Sequence, residues 1–157
     1  MVIWLMQRPP HSYRDDPSVP VFPDELPIVV FDGVCGLCSR LVRFTLWFDG
    51  PRERHRFIAA QSPLGEALFR HYGLRYDVYE TVLLITGGRC LMKSEAVLAL
   101  LGTLGPPWSW LAQIGTLVPS PLRNATYDVV ATNRYRIWGR TDVCRRPPPG
   151  AEARFLG

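Results

Sequence analysis

The chain has 157 residues, of which 47% are hydrophobic and 20% charged, and its formal net charge is +4. This length suits one domain that buries a core without disulfide staples, and the hydrophobic content is typical of a soluble globular protein. The whole positive excess falls between residues 123 and 146, so the rest of the chain is electrically neutral.

Proline marks both ends of the chain. Residues 1–27 contain six prolines, and three more stand at 147–149. We therefore predict a disordered, proline-rich tail at 1–27, one domain at 28–146 and a second tail at 147–157. The opening MVIWLMQRPP has no basic leader before its short apolar run, so we expect no secretory signal.

The first half of the predicted domain alternates strands and helices. IVVF at 28–31 is an apolar run ended by Asp-Gly, which is typical of a strand buried on both faces. Apolar residues then recur every three or four positions: Leu37, Leu41, Phe44 and Phe48. This spacing predicts a helix whose apolar stripe faces inward and which ends at Asp49-Gly50. RFIAA at 56–60 predicts a second strand, and Ser62-Pro63 opens a helix that stops at Gly73.

The second half begins with a hairpin. TVLLIT at 81–86 and RCLMK at 89–93 flank Gly87-Gly88, a two-residue turn between antiparallel strands. Ser94 is predicted to cap the next helix. Residues 96–122 carry no charge, but Gly and Pro at 102–107 divide them into pieces too short to cross a bilayer, so we expect two buried helices. Ser120-Pro121 opens a last long helix that reaches about Trp138.

This order of elements predicts the fold. A parallel β-α-β unit, a further helix and an antiparallel hairpin follow one another in the topology of the thioredoxin fold. We therefore expect an α/β protein with a central mixed four-stranded sheet flanked by helices, and with an added C-terminal helical segment.

The motif that indicates chemistry is FDGVCGLC at 31–38. A helix that begins near Cys35 places Cys35 and Cys38 in its first turn, where unpaired backbone N–H groups and the helix dipole favour a thiolate. The spacing also lets the two sulfurs meet in a disulfide. Cys35 is expected to be exposed and to attack a substrate disulfide, while Cys38 lies a turn deeper and releases the product. Arg40 and Arg43, further along the helix, are candidate cations for the thiolate.

Asp32 has two interpretations. As a turn residue, its side chain caps local N–H groups. As a partly buried carboxylate, it accepts the proton of Cys38 when the mixed disulfide is resolved. With both interpretations open, the candidate catalytic residues are Cys35, Cys38 and Asp32.

This motif resembles the signature of the DCC family, which is named for one aspartate and two cysteines. Asp32, Cys35 and Cys38 match it, and the likeness continues through KSEAVLALL, PLRNATYDVVATNRYRIWGR and Cys144. The resemblance implies a thioredoxin-like fold and a thiol-disulfide oxidoreductase activity. Thioredoxins also carry a cis-proline that faces the cysteines; this chain has none in the matching stretch, so residues 81–83 are expected to face the site instead.

Metal binding is the main chemical alternative. Structural zinc needs four ligands, commonly as two close pairs, and this sequence has one pair. Cys90 is interpreted as a small buried hydrophobe and Cys144 as a distant thiol, while His55 and His71 are interpreted as isolated surface residues. We therefore predict no metal and no cofactor. The functional alternative is a non-catalytic binding or accessory module of the same fold, whose cysteine pair is redox-silent or holds zinc or an iron-sulfur cluster.

The remaining features concern partners and location. Four cysteines without an export signal favour free thiols in the cytoplasm. Residues 123–146 hold six arginines and two aspartates, which is typical of a solvated helix face, and no nucleic-acid-binding signature accompanies them. The expected partners are a disulfide-containing protein or a small thiol, together with an unidentified electron donor, rather than nucleic acid or a membrane.

Overall fold

The computed structural model describes residues 10–52, 54–74, 81–140 and 150–156. The strands and α-helices in these residues are, in chain order, β1 (Ile28–Phe31), α1 (Gly36–Asp49), β2 (Arg56–Ala59), α2 (Pro63–His71), β3 (Leu83–Thr86), β4 (Arg89–Met92), α3 (Lys93–Gly102), α4 (Trp108–Gly115), α5 (Ser120–Trp138) and β5 (Phe155–Leu156). Short 3-10 helices lie at 12–15, 50–52 and 152–154. The four strands predicted from the sequence and the long last helix are confirmed.

One mixed sheet runs through the centre of the described chain, with the strand order β4-β3-β1-β2-β5. β1 pairs in parallel with β2, to which α1 connects it, and antiparallel with β3. The β3–β4 hairpin turns at Gly87 and Gly88, whose φ angles of +57° and +78° explain why glycine stands at both positions. This is the predicted thioredoxin-like arrangement, with β5 as a fifth strand that the sequence did not indicate.

Both faces of the central strand β1 are covered, as its continuous apolar run predicted. Ile28 and Val30 belong to the core on the α2 side of the sheet. Val29 and Phe31 belong to the core on the opposite side, where α1, α3 and α5 pack. The C-terminal end of β1 therefore leads the chain directly from the middle of the sheet into the cysteine motif.

The predicted domain limits need correction at both ends. Tyr13 and Val19 are buried in the core on the α2 side and Phe22 packs against it, so these side chains anchor the segment at 10–27, while the predicted tail residues 1–9 lie outside the described residues. At the other end β5 lies parallel to β2, and Phe155 stacks on Phe57 with 5.1 Å between the ring centroids. Proline content misled the prediction because isolated large side chains between prolines are enough to anchor an irregular segment.

A buried group of charges holds the C-terminal segment in place. Arg154 donates to the carboxylate of Asp49, and the ring nitrogen Nδ1 of His55 lies 3.2 Å from Asp49 Oδ2. The other ring nitrogen of His55 lies 2.7 Å from Thr103 Oγ1. The prediction of His55 as an isolated surface residue is therefore wrong, and so is that of His71, whose ring is buried between the side chains of Ser12 and Asp16.

The predicted inward stripe of α1 is not its most buried face. The buried residues of α1 are mostly small: Gly36, Ser39, Val42, Thr45 and Asp49. Phe44 and Phe48 instead pack on Trp108 of α4, with ring centroids 4.9 and 5.2 Å apart. The small residues thus form the buried face of α1, and the larger apolar ones pack toward the C-terminal helices.

The uncharged segment also differs from prediction. Helix α3 begins at Lys93 with Met92 in the N-cap position, and the Ser94 hydroxyl donates to Asn124 on α5 instead of capping the helix. Helix α4 is largely exposed, with Trp110 at 62%, so the expectation of two buried helices is wrong for α4. None of the described helices combines the length and hydrophobicity needed to cross a bilayer.

Candidate active site

The cysteine motif lies where β1 ends and α1 begins, as predicted. Cys35 is the N-cap residue of α1 and has extended backbone angles. Its carbonyl oxygen accepts the Ser39 N–H at 3.0 Å, and its Sγ accepts the Cys38 N–H at 3.5 Å. The first turn of α1 therefore presents a backbone donor to the sulfur of Cys35, which is the arrangement that stabilises a thiolate.

The two thiols have opposite acidities. The pKa of Cys35 is lowered to about 6, first by the hydrogen bond from the Cys38 thiol and then by the N–H groups of Cys38 and Leu37 and the positive charge of Arg134; burial opposes these effects. The pKa of Cys38 is raised well above its ordinary value by its bond to the Cys35 sulfur and by burial. At neutral pH the reduced pair therefore holds one proton, on Cys38.

The cation beside the thiolate comes from a distant helix. Arg134 of α5 is buried, and its charge contributes to the low pKa of Cys35. Arg40 and Arg43, the candidates from the sequence, both have exposed side chains on α1. The sequence pattern pointed to the nearer arginines because only the folded chain brings α5 alongside α1.

Access to the two sulfurs is the reverse of what the motif predicted. Cys35 is 0% exposed, whereas Cys38 is partly exposed. The end of α5 lies against Cys35: the Gly36 N–H donates to Gly139 O at 3.1 Å, and Cys35 pairs antiparallel with Arg140 in an isolated β-bridge. A Cβ on Gly36 would lie 2.0 Å from the Trp138 carbonyl oxygen, so this close approach requires glycine between the two cysteines.

Asp32 is the centre of a buried hydrogen-bond network. Its Oδ1 accepts the Val34 N–H at 3.1 Å, which confirms the turn interpretation, and the Gln61 side-chain amide at 2.5 Å. Its Oδ2 accepts the Arg134 guanidinium at 3.3 Å and the Tyr135 hydroxyl. The pKa of Tyr135 is raised to about 12 by burial and by this bond to the carboxylate. Four donors therefore hold the carboxylate in one orientation.

Sequence reasoning missed three residues of this network, namely Gln61, Arg134 and Tyr135. Gln61 also accepts the Gly33 N–H at 2.9 Å, so it ties the loop before the cysteines to the end of β2. Arg134 and Tyr135 lie more than 100 residues from Asp32 in the chain. Their one sequence signal was their place in PLRNATYDVVATNRYRIWGR, the stretch that carries the family likeness.

A cavity of about 290 Å³ opens beside Cys38. Six apolar side chains line most of it: Leu37, Leu41, Val82, Val97, Val130 and Ala131. Cys38, Asp32 and Arg134 also face it, and Thr81 lines it together with Val82. This confirms, for Thr81 and Val82, that the segment before β3 faces the cysteines where thioredoxins place a proline.

The other candidate thiols do not join this group in the described part of the chain. Cys90 is buried in the core, and burial raises its pKa to about 12, as expected of a small hydrophobe. Cys144 lies outside the described residues. Across residues 10–52, 54–74, 81–140 and 150–156, no three His, Cys, Asp or Glu side chains form a group that could hold a metal ion.

The thiolate of Cys35 should be visible in a pH titration. We expect absorbance at 240 nm to rise through a pKa of about 6 in the reduced protein, and this step to be absent from a Cys35→Ala variant. In Cys38→Ala the same step should move upward in pH, because the strongest hydrogen-bond donor to the Cys35 sulfur is lost. The absence of a step near pH 6 in the unmodified protein would contradict this stabilisation of the Cys35 thiolate.

Comparison with known proteins gives consistent matches. The family model described as DCC1-like thiol-disulfide oxidoreductase matches residues 29–140. The "Uncharacterized protein YuxK" of Bacillus subtilis (strain 168) is 34% identical over 129 residues, covering 82% of this chain and 93% of that protein. The "DCC family protein At1g52590, chloroplastic" of Arabidopsis thaliana is 39% identical over 121 residues, covering 77% of this chain and 70% of that protein. No solved structure matches the chain significantly.

Proposed function

Because this chain belongs to the DCC1-like thiol-disulfide oxidoreductase family, we propose that it catalyses thiol-disulfide exchange with Cys35 and Cys38 as a dithiol and disulfide couple. The observation that carries the proposal is the unequal acidity of two neighbouring thiols. A thiol with a pKa of about 6 is mostly ionised at neutral pH, and its protonated neighbour is placed to resolve the intermediate.

The proposed exchange proceeds in two displacements. The Cys35 thiolate attacks one sulfur of a substrate disulfide, forms a mixed disulfide and releases the other substrate sulfur as a thiolate. Cys38 then loses its proton and attacks the Cys35 sulfur, which forms the Cys35–Cys38 disulfide and releases the second substrate thiolate. Two electrons pass from the protein dithiol to the substrate, and the Cys38 proton goes to the solvent or to a released thiolate.

The surrounding residues support specific roles. Asp32 holds Arg134 beside the thiolate, and its four hydrogen bonds favour this anchoring role over acceptance of the Cys38 proton. A substrate sulfur can reach Cys35 when the backbone at 138–140 moves aside, since Cys35 has no exposed surface in this conformation. A reducing compartment such as the cytoplasm is part of the proposal, because disulfides that form in such compartments are mostly transient and catalytic.

The proposal is tested by counting thiols on protein of measured metal content. Oxidation with glutathione disulfide should remove the Cys35 and Cys38 thiols together, and reduction should restore both. Peptide mapping by mass spectrometry should locate the disulfide between these two residues. The oxidoreductase function is refuted if the pair stays unreactive, or if bound zinc or iron protects it from alkylation.

A further inference from the structure

The two sulfurs of the active site face different surroundings. Cys35 is enclosed, with the end of α5 against it, while Cys38 borders the apolar cavity and is partly exposed. The cavity is formed where α1, α3 and α5 meet beside the segment that precedes β3. A small molecule in this cavity therefore contacts Cys38 and not Cys35.

The walls of the cavity select against charged molecules. Half of the residues that line it are aliphatic, and the two charges that reach it, on Asp32 and Arg134, are paired with each other at 3.3 Å. A charged ligand would lose its hydration without gaining an opposite charge, whereas an apolar body would bury its surface favourably. A volume of about 290 Å³ accommodates a short alkyl chain or a ring, but not a folded protein element.

The chemistry of the disulfide state points to attack at Cys38. A thiolate that enters a disulfide displaces the sulfur that leaves more readily, and the better leaving group is the more acidic thiol. Cys35 has the helix N–H groups and the Arg134 charge to stabilise it as a leaving thiolate. Attack at Cys38, which borders the cavity, thus expels Cys35, which is the better leaving group of the Cys35–Cys38 disulfide.

From this geometry we propose that the cavity is the electron-donor site: it binds an uncharged dithiol with an apolar body, which reduces the Cys35–Cys38 disulfide by attacking Cys38. This inference rests on the proposed function and names the donor class for it. The donor thiolate forms a mixed disulfide with Cys38 and releases the Cys35 thiolate. The second donor thiol, after losing its proton, attacks the donor sulfur of the mixed disulfide and releases Cys38, which is then protonated. The donor leaves as a cyclic disulfide, and the protein has gained two electrons and is again the dithiol.

The test compares donors on the oxidised protein in a stopped-flow instrument. Dihydrolipoamide is an uncharged dithiol with an alkyl body, dithiothreitol is an uncharged but hydroxylated dithiol, and glutathione is charged. We expect dihydrolipoamide to react at least about tenfold faster than dithiothreitol, after correction for the thiolate fraction of each donor, and to show saturation. Octanamide, which has the alkyl amide but no sulfur, should inhibit the reaction of dihydrolipoamide competitively.

A matched pair of variants locates the site. Ala131 lines the cavity, whereas Ala125, on the same helix, is exposed. Ala131→Leu should lower the ratio of the dihydrolipoamide rate to the dithiothreitol rate at least about fivefold, and Ala125→Leu should leave that ratio unchanged. Val130→Phe gives a second test. Val130 borders the cavity but is 37% exposed, so the larger side chain can extend toward solvent and the variant is expected to fold.

The possible results separate this inference from the proposed function. Equal rate constants for the three donors, or a ratio that neither cavity variant changes, would overturn the donor site while leaving the exchange reaction intact. If none of the donors reduces the pair, the proposed function fails as well. A high ratio that falls in Ala131→Leu or Val130→Phe and persists in Ala125→Leu supports the cavity as the donor site.

Discussion

Replacement of Cys35 by serine is expected to lower the rate of disulfide exchange by about 1,000-fold or more, and the variant is expected to fold. The serine hydroxyl does not ionise at neutral pH, so the nucleophile is lost, and no disulfide to Cys38 can form. The Cys38 N–H, 3.5 Å from the Cys35 sulfur, and the charge of Arg134 then have no thiolate to stabilise. The measurement is the reduction of a fluorescent disulfide peptide under pseudo-first-order conditions.

Two further variants make this result specific. Cys38→Ser should still react through Cys35 but should accumulate the mixed disulfide, which mass spectrometry detects as a covalent adduct on Cys35. Cys90→Ala removes a thiol that lies in the core, and it should retain the exchange rate. Retained activity in Cys35→Ser, or an adduct on Cys90, would contradict the assignment of the nucleophile.

Asp32→Asn is expected to lower the free energy of unfolding by about 3 to 5 kcal/mol. The substitution removes the negative charge that compensates the Arg134 guanidinium, and both side chains are buried, at 3% and 8% exposure. Arg134 and Tyr135 both donate to Oδ2 of Asp32, and an asparagine NH2 group at that position is itself a donor, so these two donors would lose their acceptor. Chemical denaturation of the reduced protein, monitored by circular dichroism, measures the loss.

The control for this prediction is a surface ion pair in the same protein. Asp128 is 52% exposed and lies 2.8 Å from the Lys93 ammonium, so Asp128→Asn should cost less than about 1 kcal/mol. A second substitution, Arg134→Met, should recover part of the stability lost in Asp32→Asn, because it removes the uncompensated charge. Equal costs for Asp32→Asn and Asp128→Asn would show that Asp32 does not anchor a buried charge.

The same variant separates the two roles considered for Asp32. As an anchor for Arg134, Asp32 acts on the pKa of Cys35, and Asp32→Asn changes the pH at which Cys35 becomes reactive. As a proton acceptor, Asp32 acts on the second displacement, and the pH dependence of mixed-disulfide resolution changes in the variant. Both profiles can be measured on one preparation by rapid mixing and acid quenching.

Local chemistry explains which features could be predicted from the sequence. The run at 28–31, the glycine pair at 87–88 and the Ser62-Pro63 helix start each depend on neighbouring residues, and all three form as predicted. The cysteine pair is of the same kind, because three positions at a helix N-terminus determine both the spacing and the dipole. The order of these local elements was enough to predict the thioredoxin-like topology.

The tertiary structure alone decided how that site is surrounded. Two of the four partners of Asp32, the enclosure of Cys35 and the cavity beside Cys38 depend on α5, which begins more than 80 residues after the motif. The burial of Tyr13 and Val19 and the addition of β5 likewise depend on contacts between segments far apart in the chain. Spacing and periodicity report what one segment can form by itself, whereas burial and charge pairing are properties of surfaces that meet only after folding. The sequence thus determined where the cysteine pair lies, and the fold decided which of the two cysteines lines the cavity.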